Sequence, residues 1–139
     1  MECQIYLSEQ PLDGNEVFRF LQTPASGGMV VFTGTVRDHF EDKKVIRLEF
    51  EAYQAMAVKE MERLAVICAE KWPCHRIAIH HRTGVLQVGE IPVIIGVSCT
   101  HRREAFAACQ FLIDTLKESI PIWKKEVFQD GSHWVSAHP

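Results

Sequence analysis

From residue 44 to 53 the chain reads KVIRLEFEAY, with Ile46, Leu48, Phe50 and Ala52 alternating against Arg47, Glu49, Glu51 and Tyr53. That period of two predicts a strand with one face in the core and the other wet or at an interface. The period then changes. Met61, Leu64, Ala65 and Cys68 recur at helical spacing, predicting a helix over about 54–71 that stops before Pro73, because proline disfavours helical dihedrals in the residue ahead of it. Earlier, Asp13 and Glu16 have capping-box spacing ahead of Val17, Phe18 and Leu21, so a short helix from about 14 to 22 is expected, broken by TPASGG.

Between these, GMVVFTGTV at 28–36 is apolar and β-branched and reads as a strand that delivers Arg37, Asp38 and His39 to a loop. RIAIHHRT at 76–83 and IPVIIGVSCT at 91–100 read as two more strands, the second nearly all apolar and therefore central. GVLQVGE between them holds turn glycines. Cys109, Leu112, Ile113 and Leu116 mark a second long helix over about 102–118, ended before Pro121. Asp130-Gly131 within FQDGSHWV is a hairpin signal. The interleaved order, beginning β, α, β, β, α, β, β, favours an α+β or α/β sandwich over a barrel or bundle.

Composition narrows the function more than the fold. At 139 residues the chain is the size of one domain, 1–139, and 47% hydrophobic with 24% charged residues is ordinary for a globular protein. The net charge of −3 gives no reason to expect nucleic acid, so any basic site must be local. No apolar run is long enough to cross a bilayer, and MECQIYLSEQ lacks the order of a signal peptide; a soluble, cytoplasmic protein with no membrane association is expected. The five cysteines, at 3, 68, 74, 99 and 109, are odd in number and have no close pair, so they read as thiols.

Three places could carry chemistry. Thr100-His101-Arg102 lies where an apolar strand gives way to a helix, and unpaired N–H groups at a helix start favour anions. Cations oppose the dipole there, so Arg102 and Arg103 need compensation, whether by a bound anion or by solvent. Arg37 follows a strand whose Gly34 permits close backbone approach, and a guanidinium fork suits a phosphate, although its position taken alone favours an ordinary surface arginine.

The third is LKESIPIWKKE, 116–126, with Lys117, Lys124 and Lys125. Lys117 is four residues after Ile113 and so near the apolar seam of its helix. A lysine held against apolar surface can give up its proton, which general acid-base work requires; snorkelling over an apolar stem is the bland alternative. Lys125, on the opposite face of an extended segment, should be more solvated than Lys124.

Metal binding finds no support: His80 and His81 are adjacent on a strand and point to opposite faces, and Cys68, Cys74 and His75 lack a second ligand pair. There is no Walker loop, GxGxxG fingerprint or GxSxG elbow.

VVFTGTVRDH, LEFEAYQAMA, IHHRTGVLQVGE, the THR of 100–102 and LKESIPIWKKE, in that order, resemble the catalytic large subunits of molybdopterin synthase, the MoaE family, from about residue 28 to Trp134. The resemblance implies an α/β hammerhead-like α+β fold, a mixed sheet with two long helices and a small antiparallel β subdomain. It implies a sulfurtransferase with no cofactor or metal of its own. Such an enzyme converts cyclic pyranopterin monophosphate into molybdopterin with two sulfurs from the thiocarboxylated C-terminus of a small ubiquitin-like subunit.

It further implies a heterotetramer built on a central homodimer. The family's catalytic lysines fall on Lys117 and Lys124, and its substrate-binding groups on Arg37, His101, Arg102, Lys117, Lys124, Lys125 and Glu126. Some members carry a lysine where this chain has Thr35, which leaves one fewer cation near Arg37. Two other classes remain compatible with the residues alone: a lysine-dependent carbonyl or phosphate-ester enzyme acting without a partner, and a non-catalytic scaffold.

Overall fold

The computed structural model describes residues 1–139. In chain order, β1 (Glu2–Ser8), α1 (Gly14–Leu21) and β2 (Gly28–Gly34) are followed by β3 (His39–Phe40), β4 (Lys43–Ala52) and α2 (Gln54–Lys71). Then come β5 (Cys74–Arg82), β6 (Gly84–Gln87), β7 (Val93–Cys99), α3 (Arg102–Ser119), β8 (Ile122–Phe128) and β9 (His133–Ser136). The fold is α+β.

One sheet has the order β1-β5-β7-β2, with β1 parallel to β5 and the other pairs antiparallel. β7 is buried along its whole length because it has strands on both sides and helices on both faces. Alternation on β5 sorts its residues between those faces. Ala78, with Ile94 of β7, packs on Val17 and Leu21 of α1; Ile77, Ile79, Ile95 and Val97 face the larger core under α2 and α3. α1 begins as its cap predicts, Asp13 accepting from the Asn15 N–H, but Glu16 does not close a capping box, since it accepts the Tyr6 hydroxyl at 2.8 Å.

A second sheet has the order β3-β4-β8-β9, with β6 also paired to β4. β6 is the strand within GVLQVGE that turn glycines conceal, and both Gly84 and Gly89 do have positive φ, near 90°. The strict alternation of β4 breaks at its start. A bulge between Val45 and Arg47 shifts the register against β8, so Val45 turns inward and Ile46 outward, 43% exposed, while Leu48, Phe50 and Ala52 keep the inner face. One core of 23 residues joins the sheets, drawing Phe50, Leu86 and Ile122 from the second and Ile79, Val93 and Ile95 from the first.

Both long helices stop where proline dictates, α2 at Lys71 and α3 at Ser119. No helix is long and apolar enough to cross a membrane.

A candidate active site between the two sheets

The C-terminal half of α3 meets the inner face of the second sheet beside the end of β2, and a cavity opens there. Four segments supply its polar lining: Arg37 from the loop after β2, His81 from β5, Lys117 from the last turn of α3, and Lys124 with Glu126 from β8. Residues 124 and 126 share a face because a strand alternates, and their ladder partners Phe50 and Leu48 line the same cavity. Phe32 and Phe40 add aromatic walls.

The electrostatics favour an anionic guest. Lys117 is held below the ordinary lysine range, first by burial of its ammonium and then by repulsion from Lys124 and Arg37. Although Lys117 as a whole residue is exposed, its Nζ points inward and donates to the Pro139 carbonyl oxygen at 3.4 Å. Lys124 Nζ lies 3.2 Å from Glu126 Oε1, with both side chains mostly buried. Glu126 Oε2 is buried and has no hydrogen-bond donor from the chain.

His81 donates Nδ1–H to the Arg82 carbonyl at 2.8 Å, and burial pushes its pKa down to about 4, so it is a neutral imidazole. At the mouth, His39 pairs with Asp38 at 2.7 Å, a bond that holds the Asp38 carboxyl below its usual range.

Arg37, Lys117, Lys124 and Glu126 therefore converge. Lys125 lies on the opposite face of β8, away from the cavity, and both lysines are half-buried. His101 and Arg102 do not reach this cavity. They sit exposed at the first turn of α3, and the 15 residues from Arg102 to Lys117 span about 22 Å of helix. His101 makes no side-chain capping bond, and Glu104 supplies negative charge in the same turn as the arginines. His80, on the face of β5 opposite His81, stacks on Tyr6 and bonds Gln4.

Sequence reasoning did not single out His81 or Pro139 as lining residues. For His81 a signal existed: it shares the inner face with Ile77 and Ile79. For Pro139, buried three residues beyond the end of β9, nothing local announces the contact. Thr35 lines the cavity near Arg37.

Residues 7–119 match the family model described as MoaE protein. The chain is 47% identical over 138 residues to the molybdopterin synthase catalytic subunit of Nostoc sp., covering 98% of this chain and 84% of that one. Among solved structures it is similar to molybdopterin synthase from Staphylococcus aureus, with a TM-score of 0.90, 37% identity and 96% of each chain covered. It also has the fold of a chain in the protein-protein complex of subunits 1 and 2 of molybdopterin-converting factor from Helicobacter pylori. There the TM-score is 0.74 at 22% identity, with 99% of this chain and 93% of that chain covered.

Proposed function

The chain belongs to the MoaE family of molybdopterin synthase catalytic subunits, and we propose that its cavity is where cyclic pyranopterin monophosphate receives its two dithiolene sulfurs. It is an enzyme of molybdenum cofactor biosynthesis, a sulfurtransferase. The observation that carries the reading is the convergence of Arg37, Lys117 and Lys124, from three separate segments, on one cavity. A pterin bearing a cyclic phosphate and a tail bearing a thiocarboxylate are both anions, and a site that holds them together needs several fixed cations.

The roles divide by environment. Lys117, whose ammonium is destabilised by burial and like charge, is the proton donor and acceptor that assists sulfur attack and loss of the substrate oxygen. Lys124, held by Glu126, is a positioned cation for the thiocarboxylate or the negative charge that develops on it. Arg37 takes phosphate. The contact between Lys117 Nζ and the Pro139 carbonyl, at 3.4 Å, supports this assignment, since it puts the ammonium within reach of an oxygen inside the cavity.

The sulfur donor in this reading is the thiocarboxylated C-terminus of a small ubiquitin-like subunit, in keeping with the two-subunit assembly of the Helicobacter pylori protein. The whole chain works as one cytoplasmic domain within a heterotetramer built on a central homodimer. A surface for the second copy is available: β2 is an edge strand with Met29 and Phe32 exposed, next to Phe106 of α3, which is 63% exposed. Antiparallel docking of two α3 helices there would carry His101 and Arg102 of each copy to the Lys117 end of the other. That arrangement reconciles their proposed phosphate role with their distance from Lys117 in one chain.

Single-turnover reconstitution tests the function. Protein, cyclic pyranopterin monophosphate and thiocarboxylated small subunit together should give dithiolene product, and omission of any one should give none. Product formed without the small subunit would favour a lysine-dependent enzyme acting alone.

A further inference from the structure

Sulfur transfer does not end when the thiocarboxylate sulfur bonds to the substrate. The tail's carbonyl carbon is then still attached to that sulfur, as an acyl thioester. Release takes water: its oxygen bonds to the carbonyl carbon, the carbon–sulfur bond breaks with its electron pair on sulfur, and the tail departs as a carboxyl group while the substrate keeps a thiolate. One proton of the water passes to a base; the other stays on the new carboxyl, which ionises. The water comes from solvent, so the base belongs where the cavity meets it.

Most of the cavity's polar groups are unsuited to that task. Arg37 stays charged, and the Lys117 ammonium points inward. Glu126 is buried and paired with Lys124 at 3.2 Å. His81 is buried too, and at about 4 its pKa makes it a weak base.

His39 differs from all of these. It lines the cavity at the mouth, its side chain is 67% exposed, and its Nδ1 lies 2.7 Å from Asp38 Oδ1. That bond holds the Asp38 carboxyl below its usual range, so the carboxylate is ionised and can only accept. Nδ1 therefore carries the proton, and Nε2 keeps a bare lone pair. The backbone beneath the pair is fixed. The Asp38 carbonyl accepts the Val45 N–H at 2.8 Å, and His39 pairs with Lys44 in the β3–β4 ladder. Lys43 ties this arm to the β8–β9 turn, through Ser132 at 2.9 Å and Asp130 at 3.4 Å.

We propose that His39 is a further catalytic residue, the general base that activates the water releasing the small subunit's tail, with Asp38 as its positioning residue. The proposal rests on the sulfur-transfer reading above and assigns the step that follows attack. Nε2 takes the water's proton, Asp38 stabilises the imidazolium that forms, and the exposed ring returns the proton to solvent.

A quenched single turnover of the whole protein with cyclic pyranopterin monophosphate and thiocarboxylated small subunit tests this, with denaturing mass spectrometry following the small subunit as thiocarboxylate, pterin adduct and carboxylate. In the wild-type protein the adduct should be short-lived. His39→Ala should form it at the wild-type rate and clear it about a hundredfold more slowly, and free imidazole should restore clearance. Asp38→Asn should change clearance in the same direction by less. Wild-type clearance in His39→Ala would overturn the proposal, as would equal slowing of adduct formation and clearance or an adduct that imidazole cannot clear. A wild-type protein that yields neither adduct nor dithiolene would instead remove the sulfur-transfer reading, a result distinct from these.

Discussion

The ring of His81 meets Phe50 edge-on with centroids 5.2 Å apart, and this contact joins the two sheets inside the cavity. Because the imidazole is buried there, its pKa falls from 6.5 to about 4, with Lys117 adding repulsion. The unfolded chain therefore binds a proton at this residue over a range where the folded chain does not. Stability contributed by neutral His81 is present above the unfolded value and is lost as pH falls from about 6.5 toward 4. The loss between pH 7 and pH 5 should be about 2 kcal/mol. Urea denaturation at the two pH values measures it, and a His81→Gln protein should show a shallower dependence; an unchanged slope would remove His81 as the cause.

Lys117 should lose its proton at lower pH than the other lysines, since burial and the charges of Lys124 and Arg37 all oppose its ammonium. The sign for stability follows: between the lowered folded value and the ordinary lysine value the unfolded chain holds more protons, so this residue's contribution rises with pH. NMR titration of the lysine side chains should show one resonance moving early. In Lys124→Ala, which removes a like charge, that midpoint should move up; a midpoint indifferent to Lys124 would contradict the proposed coupling.

Gly96 is closed to any side chain. A Cβ there would lie 2.6 Å from Leu21 Cδ1 and 2.8 Å from Val17 Cγ1, under the helix that covers this face of β7. Gly96→Ala should therefore lower stability by about 1–3 kcal/mol through overpacking, read as a fall in the denaturation midpoint. Since no residue of α1 lines the cavity, turnover per folded molecule should stay near wild type.

The helices, and the inward placement of Lys117 and Lys124, were the legible parts of the sequence. Proline at 73 and 121 ended α2 and α3 where expected, because its steric rule is local. The bulge in β4 was not legible, since its cause is the pairing with β8, and it exchanged Val45 for Ile46 on the inner face. β6 was hidden for the same reason: GVLQ is a strand only because β4 lies beside it. Helix phase placed Lys117 near the seam and alternation set Lys125 on the face opposite Lys124, but neither rule measures how far apart two ends of a helix lie. His101 and Arg102 were grouped with Arg37 by the family resemblance, and the length of α3 separates them from Lys117 within one chain.

The thiols lie apart from the proposed chemistry. Cys68, Cys74, Cys99 and Cys109 are buried, and Cys3 alone is exposed. Burial pushes the Cys109 thiol up to about 11 and the Cys99 thiol up to about 12, which leaves both protonated and unreactive at neutral pH. A thiol reagent should label one cysteine quickly in the native protein and all five after denaturation. Cys3→Ser should transfer sulfur as wild type does, and loss of transfer in that variant would show a cysteine relay.

The central claim is that sulfur transfer occurs at the cavity and uses the Lys117 ammonium. Its most direct test compares wild type with Lys117→Ala in a single turnover with cyclic pyranopterin monophosphate and thiocarboxylated small subunit, after both proteins are shown to bind both components. The account predicts a fall in the rate of dithiolene formation of about a hundredfold or more, as expected for removal of a general acid-base group. Wild-type turnover in Lys117→Ala would place the chemistry on other residues.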